Sequence, residues 1–152
     1  MAEKLCTACG DPNPSSHSLC SNCTRANRFN RWTADPYSFL RTVVNDARWR
    51  AKKRSIPFDI EAEWAFELWE KQKGRCALSG VHLTHHRGTQ DFCDTNASLD
   101  RIRNHEGYTR WNTQLVAFRV NALKSNMDEG QFVWWLKTLN SYIEERISEN
   151  RA

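Results

Sequence analysis

A chain of 152 residues that is 39% hydrophobic and 26% charged has the composition of a soluble globular protein with one main core and a small appendage. No apolar run approaches the ~20 residues that span a bilayer, and no secretory leader follows Met1, so we expect a cytoplasmic protein with no membrane partner. In that reducing compartment the six cysteines are metal ligands or free thiols rather than disulfides. The formal net charge of +4 is mild, and its distribution along the chain is more informative than its size.

Two Cys-x-x-Cys pairs open the chain, Cys6 with Cys9 and Cys20 with Cys23, separated by ten residues. The segment between them is rich in Pro, Ser and Asn, so it cannot bury a core of its own and needs a metal to hold it. Two such pairs supply the four thiolates that tetrahedral Zn²⁺ prefers, and they leave no position open for substrate. We therefore predict a structural zinc-binding module over residues 1–30. A redox pair or free thiols explain two equal pairs less well.

Basic residues are concentrated directly after this module, where nine arginines and lysines stand against two acids. They are Arg25, Arg28, Arg31, Arg41, Arg48, Arg50, Lys52, Lys53 and Arg54. A positive stretch of this kind suits a polyanion such as double-stranded DNA, although a solvated helix face is the plainer interpretation of a charge run. The first three arginines follow the last zinc ligand, so we expect the zinc module to orient them towards a phosphate backbone.

Two amphipathic helices are predicted in segment 31–74, which we expect to bind DNA. The first begins with Asp35 as N-cap, followed by a proline, and ends at Pro57. The second opens at Asp59 as N-cap and stops at Gly74. The face of the first helix that carries the basic residues is the expected DNA-facing surface.

The hydrophobic period changes in segment 75–126. The predicted elements are a hairpin at 75–83, strands at 97–102 and 112–116, and a short helix at 118–124. Together the strands and the short helix make a β-β-α unit. A last helix over 127–152 opens at Asp128, with Gln131 at the capping-box position, and its apolar stripe is expected to pack on the rest of the protein.

Oxygen-bearing side chains fall on two parts of this β-β-α unit. Asp100 lies on the first strand and Asn121 on the short helix, and they can meet over one site if the second strand folds back. Carboxylate and amide oxygens of this kind suit Mg²⁺ or Mn²⁺. Taken alone, however, one Asp and one Asn are more simply read as turn and surface residues.

A longer series of motifs surrounds these two residues. Cys76-Ala77-Leu78-Ser79-Gly80 is followed by Leu99-Asp100-Arg101-Ile102, by Gly107-Tyr108, by Asn-x-Gln-x-Val from Asn112 and by Asn-x-x-Lys from Asn121. In order and spacing they resemble the phage-type HNH endonucleases, over roughly residues 46–132. The resemblance implies an α+β fold with a ββα-metal (HNH) core flanked by helices. It also implies a metal-dependent DNA endonuclease that hydrolyses phosphodiester bonds in double-stranded DNA.

The resemblance carries roles to individual residues. It implies that Asp100 and Asn121 hold a catalytic Mg²⁺ or Mn²⁺, that Asn112 braces the loop and that Lys124 contacts a phosphate. The family's general base is a histidine directly after the acid, and Arg101 stands at that position. Arginine stays protonated in proteins and cannot take a proton from water, so another group or the metal alone must activate the nucleophile. Arg101 is then a candidate clamp for the scissile phosphate.

The missing base leaves several alternatives open. His105, His82 and the His85–His86 pair are candidates, although a histidine in a polar loop is most often only solvated. Cys76 and Cys93 could form a second metal site with a histidine, but two buried thiols are the simpler interpretation.

Two other functions compete with the endonuclease. Because the base is absent, the chain is alternatively a catalytically impaired HNH-fold DNA-binding protein. A purely structural or protein-binding module would leave the basic stretch unexplained.

Overall fold

The structure is a computed structural model, and it describes residues 5–7, 20, 35–86 and 94–150. In chain order its elements are α1 (Pro36–Lys53), α2 (Ala62–Lys71), β1 (Ala97–Arg101), β2 (Thr113–Ala117), α3 (Phe118–Lys124) and α4 (Glu129–Glu149). Helices and a small antiparallel sheet in separate stretches make this an α+β protein, as the sequence predicts. Among the described helices, none has the length and apolar character needed to cross a membrane.

The first helix, α1, begins where Asp35 caps it. The Asp35 carboxylate accepts the backbone N–H groups of Tyr37 at 3.1 Å and Ser38 at 3.0 Å, and the Ser38 hydroxyl at 2.8 Å. Pro36 fills the first helical position, where no N–H donor is needed. The hydrogen bond from the Ser38 hydroxyl holds the pKa of Asp35 below its ordinary value, because such donors favour the charged form. The predicted start of this helix is confirmed.

Replacing Asp35 by alanine should lower the free energy of unfolding by about 0.5–2 kcal/mol, the usual effect of removing an N-cap. Since the folded-state pKa is lowered, this contribution is complete above the unfolded-state pKa and is lost as pH falls through the folded-state pKa. Urea unfolding of both proteins at neutral pH and below about pH 3 measures it. A difference between wild type and variant that does not shrink in acid would contradict this assignment.

The second helix, α2, begins two residues after its predicted start, with Glu61 rather than Asp59 as N-cap. The backbone N–H of Asp59 donates instead to the carbonyl of Tyr108 at 2.8 Å, and Phe58 pairs with Tyr108 in a short bridge. Gly107 lies at this contact, where a Cβ atom would come within 2.5 Å of the Pro57 carbonyl oxygen. The contact with Tyr108 therefore engages the residues at which the sequence predicts the start of the helix, and α2 begins later.

The predicted hairpin at 75–83 is a tight turn with one bridge, Arg75 with His82, rather than two strands. The carbonyl of Cys76 accepts the N–H of Gly80 at 2.9 Å and closes the turn. The next amide, that of Ala77, donates at 3.0 Å to the carbonyl of Leu115 in β2. The chain is thus drawn onto the sheet before a longer hairpin can form.

The two strands pair antiparallel, with Ala97 opposite Ala117 and Asp100 opposite Gln114. Their boundaries lie within one residue of the predicted ones, and α3 has the predicted bounds. Helix α1 packs on β1, α2 packs on β2, and α3 contacts both strands. The core between these layers includes the fully buried side chains Leu40, Val44, Ile60, Leu115 and Val116. This packing sets β1 and α3 side by side.

The last helix, α4, has the predicted capping box, in which Gln131 Oε1 accepts the backbone N–H of Asp128 at 3.1 Å. Its first turn is anchored, because Phe132 is buried. The remaining stripe was expected to pack on the domain, and the structure departs from that prediction: Trp135, Leu136, Leu139, Ile143 and Ile147 are exposed. Beyond its first turn the helix leaves the surface of the domain, and no described helix or strand lies opposite its apolar face.

Candidate active site at Asp100 and Asn121

An open cleft of about 330 Å³ lies between β1, α3 and the C-terminal end of α1. Asp100 and Arg101 border it from β1, Asn121 borders it from α3, and Arg50 and Arg54 border it from α1. Its other lining residues are Ser98, Leu99, Asn104, Tyr108, Ser125 and Asn126. The acid and the amide singled out in the sequence therefore border the same cleft, with two arginines facing it.

Asp100 is buried, with 4% of its surface exposed, and both of its carboxylate oxygens are engaged. Oδ1 accepts a hydrogen bond from Lys124 Nζ at 2.9 Å, and Oδ2 accepts one from Gln114 Nε2 at 3.0 Å. The same Gln114 nitrogen donates to Glu129 Oε2 at 2.9 Å. A carboxylate has about four acceptor sites, so each oxygen can accept a further ligand from the cleft. These hydrogen bonds fix the orientation of the Asp100 carboxylate and leave acceptor sites on it for a ligand.

Lys124 is turned into the protein, where it has no exposed surface. Besides its ion pair with Asp100, its Nζ donates to the carbonyl of Arg101 at 2.8 Å. A buried ammonium group is tolerated only when charged and polar partners surround it. This placement departs from the expected phosphate contact, because Lys124 acts on the site through Asp100 and does not reach the cleft.

Asn121 is held by its amide nitrogen, which donates to Ser98 Oγ at 2.7 Å and to the Leu99 carbonyl at 3.0 Å. A carbonyl oxygen can only accept, so the nitrogen must face Leu99 and the amide cannot be flipped. Among the hydrogen bonds of the described residues none engages Asn121 Oδ1. That oxygen is the atom the side chain can offer to a ligand in the cleft.

The Asp100 carboxylate and Asn121 Oδ1 are oxygen donors of the kind that a hard divalent cation takes. Mg²⁺ in nucleotide-processing sites is commonly held by one or two carboxylates, with waters and substrate phosphates completing its shell. Within the described ranges no three His, Cys, Asp or Glu side chains form a metal-binding group. By their chemistry, oxygen donors suit Mg²⁺ or Mn²⁺ better than Zn²⁺, which prefers nitrogen and sulfur.

Arg101 is fixed by the loop that follows β1. Its guanidinium donates to the carbonyls of Asn104 at 2.6 Å and Glu106 at 2.9 Å, and to Asn104 Oδ1 at 2.5 Å. It also lies over the ring of Tyr108, 5.3 Å from the centroid. These bonds use three of the five N–H donors of an arginine. Arg101 therefore braces the loop while it borders the cleft.

Asn112 ties the same loop together from the start of β2. Its Oδ1 accepts the N–H of Arg103 at 2.8 Å, and its Nδ2 donates to the carbonyls of Arg103 at 3.0 Å and Gly107 at 2.9 Å. Only 2% of its surface is exposed. These are the contacts that a loop-bracing residue makes, and they hold the loop beside Asp100.

No protein-family model and no curated protein matches this chain. Among solved structures it is similar to the rare-cutting HNH restriction endonuclease PacI, at 16% sequence identity and a TM-score of 0.43. The alignment covers 94% of this chain and 97% of that chain. A likeness at this TM-score carries no functional argument, so the function proposed below stands on the residues of the cleft.

Three of the candidate bases lie away from the cleft. His82 and His86 are exposed, and His85 packs between Phe39 and Trp69, with ring centroids 6.5 and 6.0 Å away. None of the three lines the space beside Asp100. The described part of the chain gives them no contact with that carboxylate.

His105 lies on the loop after β1, with 70% of its side chain exposed. Its Nε2 is 3.8 Å from the carboxylate of Glu106 and its Nδ1 is 3.7 Å from that of Asp128. It does not line the cleft, although its neighbour Asn104 does. Across the described ranges, therefore, no histidine borders the site that holds Asp100 and Asn121.

For the DNA cleavage that the sequence resemblance implies, replacing His105 by alanine should change the rate by less than about threefold, because a general base contributes ~10²–10⁴-fold only when it reaches the reacting water. Single-turnover cleavage of a labelled duplex measures the effect. A hundredfold loss at unchanged DNA affinity would instead identify His105 as the base.

Apart from Lys124, the predicted DNA-binding residues fall into four groups. Arg50 and Arg54 line the cleft. Arg48 is partly committed to the fold, since it donates to the carbonyl of Ile60 at 2.9 Å and pairs with Glu61 at 3.1 Å. Lys52 and Lys53 are exposed at the end of α1. Arg25, Arg28 and Arg31 lie outside the described residues.

The cysteines of the predicted zinc module are described only in part. Cys6 is buried, and its Sγ accepts the backbone N–H of Cys20 at 3.3 Å. Cys9 and Cys23 lie outside the described residues. The first cysteines of the two pairs are therefore in contact, although they lie fourteen positions apart in the sequence.

Cys76 is buried at the start of the turn after α2. Burial alone raises the pKa of its thiol, but hydrogen bonds from the Ser79 hydroxyl and from the backbone of Ala117, Ser79 and Leu78 outweigh it and lower the pKa. Cys93, its suggested partner, lies outside the described residues, so a metal site with Cys76 stays untested.

Proposed function

We propose that this chain is a metal-dependent, HNH-like DNA endonuclease that hydrolyses phosphodiester bonds in double-stranded DNA. The observation that carries the proposal is that Asp100 and Asn121 present oxygen ligands to one cleft, with Arg50 and Arg54 facing it. Oxygen ligands beside guanidinium groups suit a phosphate that a divalent cation and arginines hold together. Lipids and other purely apolar ligands would find no matching surface in this cleft.

Four residues that line the cleft, and Lys124 behind it, have a part in this proposal. Asp100 and Asn121 hold Mg²⁺ or Mn²⁺, which when bound neutralises the phosphate and stabilises the leaving oxygen. Lys124 pairs with the Asp100 carboxylate and holds it in place. Arg50 and Arg54 bind phosphate oxygens of the backbone, so affinity falls steeply as salt is raised.

The exposed end of α1 extends the positive surface beyond the cleft. Lys52 and Lys53 follow Arg50 there, and the Lys53 ammonium lies 3.9 Å from the ring centroid of Trp49. Contacts of this kind position the duplex without reading its sequence. We infer that most of the binding energy comes from this surface and that the cleft carries the chemistry.

A catalytically impaired DNA-binding protein remains the second candidate. It is favoured by one observation, that no histidine among the described residues borders the cleft. Arg101 cannot serve as a base, and its guanidinium is occupied by loop carbonyls.

Incubation of supercoiled plasmid with the protein separates the two candidates. With Mg²⁺ or Mn²⁺ an endonuclease yields nicked or linear DNA, and chelation by EDTA stops it. The impaired protein gives only a salt-sensitive mobility shift with either ion. Intact plasmid at full occupancy, with both ions tested, would exclude the endonuclease.

We also propose a structural Zn²⁺ held by Cys6, Cys9, Cys20 and Cys23, supported by the contact between Cys6 and the Cys20 amide. About one equivalent of zinc should copurify with the protein and should be lost in Cys20→Ser. Cys76→Ser is the matched control and should keep its zinc. Elemental analysis of the three proteins checks this, and full zinc content in Cys20→Ser would contradict the four-cysteine site.

A further inference from the structure

Helix α4 carries a continuous apolar stripe that the described domain leaves uncovered. The stripe consists of Trp135, Leu136, Leu139, Tyr142, Ile143 and Ile147, each exposing between 45% and 60% of its surface. Residues spaced three and four apart lie on one face of a helix, so these side chains form a single surface. We call this surface the α4 stripe.

The area of the α4 stripe lies at the upper end of what a monomer exposes. Six large side chains about half exposed present roughly 600 Å², at ~150–250 Å² for a large aromatic side chain. The largest apolar patch on a typical monomer is about 300–600 Å², whereas each partner in a standard dimer contributes about 800 Å². The stripe alone therefore approaches the area that one partner contributes to a standard dimer interface.

The α4 stripe is also arranged nearly symmetrically along the helix. Leu139 and Ile143 lie two residues on either side of Ser141, and Trp135 and Ile147 lie six residues on either side. In a two-fold dimer each surface must fit its own reversed copy. An antiparallel pair whose two-fold axis crosses the helices at the level of Ser141 meets that condition. In this pair Leu139 of one copy lies against Ile143 of the second copy.

Arg146 favours the antiparallel direction over the parallel one. It lies within the stripe, with its guanidinium 5.9 Å from the centroid of the Tyr142 ring. Parallel pairing would set two copies of Arg146 against each other in an apolar seam, which is costly. Antiparallel pairing sets Arg146 opposite Leu136, near the end of the seam, where its charged group can reach water.

We propose that the α4 stripe binds a second copy of this chain, through an antiparallel two-fold pair of α4 helices. The buried Phe132 anchors the first turn of each helix in its own domain, so the pair joins two folded domains. Since the stripe is exposed within each domain, dimerisation and folding can be separated by mutation.

Sedimentation equilibrium of the full chain tests the proposal. The wild type should be a dimer, and Leu139→Glu should be a monomer with unchanged far-UV circular dichroism. Ser141→Glu is the matched control, since it introduces the same charge on the opposite face of the same turn and should remain a dimer. A monomeric wild type, or equal dissociation of both variants, would overturn the proposal.

The orientation has its own test. Leu139→Glu combined with Ile143→Lys sets opposite charges against each other only in the antiparallel pair, so this double variant should dimerise about tenfold more tightly than either single variant. In a parallel pair each introduced charge would lie against the same charge on the second copy. A double variant that dimerises no better than the single ones would therefore reject the antiparallel arrangement.

Discussion

Asn121→Ala should reduce the rate of plasmid cleavage by about a thousandfold or more, with DNA affinity within about threefold of wild type. Oδ1 of Asn121 is a proposed ligand of the divalent ion, while the proposed phosphate contacts lie on Arg50, Arg54 and the lysines of α1. Asp100→Ala should have the same effect on cleavage. Single-turnover rates and mobility-shift affinities, measured on the same duplex, separate the two quantities.

Asn126→Ala is the matched control, because it makes the same substitution in the same cleft at a residue with no proposed role in holding the ion. The backbone carbonyl of Asn126, which accepts a hydrogen bond from Asn104, is retained in the variant. Its cleavage rate should stay within about threefold of wild type. Equal losses in Asn126→Ala and Asn121→Ala would show a general disturbance of the cleft, and an active Asn121→Ala would remove Asn121 from the site.

Lys124→Met should lower the free energy of unfolding by about 3–5 kcal/mol, because it leaves the Asp100 carboxylate buried without its counter-charge. Adding Asp100→Asn to the same chain removes the second charge, and most of that loss should be recovered. The double variant should fold and bind DNA but fail to cleave it. Urea unfolding of the single and double variants measures the recovery.

Lys137→Met provides the control for this series, since Lys137 is exposed on α4 and the same substitution there should change stability by less than about 0.5 kcal/mol. If Lys124→Met is as stable as wild type, the ammonium of Lys124 is not a buried partner of Asp100 in solution. The phosphate contact expected from the sequence would then be the simpler role for Lys124.

Sequence signals of short range determined the local elements of this protein. Asp35 caps α1 and Asp128 with Gln131 caps α4, because capping bonds join residues only two or three positions apart. The two strands lie within one residue of their predicted bounds. Asp100 and Asn121 were identified from the order of motifs, and they do border one cleft.

The tertiary structure alone decided the partners of those elements. Gln114 reaches Asp100 through the strand register, and Glu129 reaches Gln114 through the position of the first turn of α4. No spacing in the sequence states either contact. Lys124 is buried rather than exposed because packing α3 on both strands turns its side chain inward.

The same distinction explains the two helices that depart from their predictions. Asp59 has the residue type of an N-cap, yet the contact with Tyr108 engages its amide and moves the start of α2. The apolar stripe of α4 predicts burial without saying against what. Local signals report which face is apolar, but only the arrangement of the whole chain decides what that face meets, and beyond Phe132 it meets no helix or strand among the described residues.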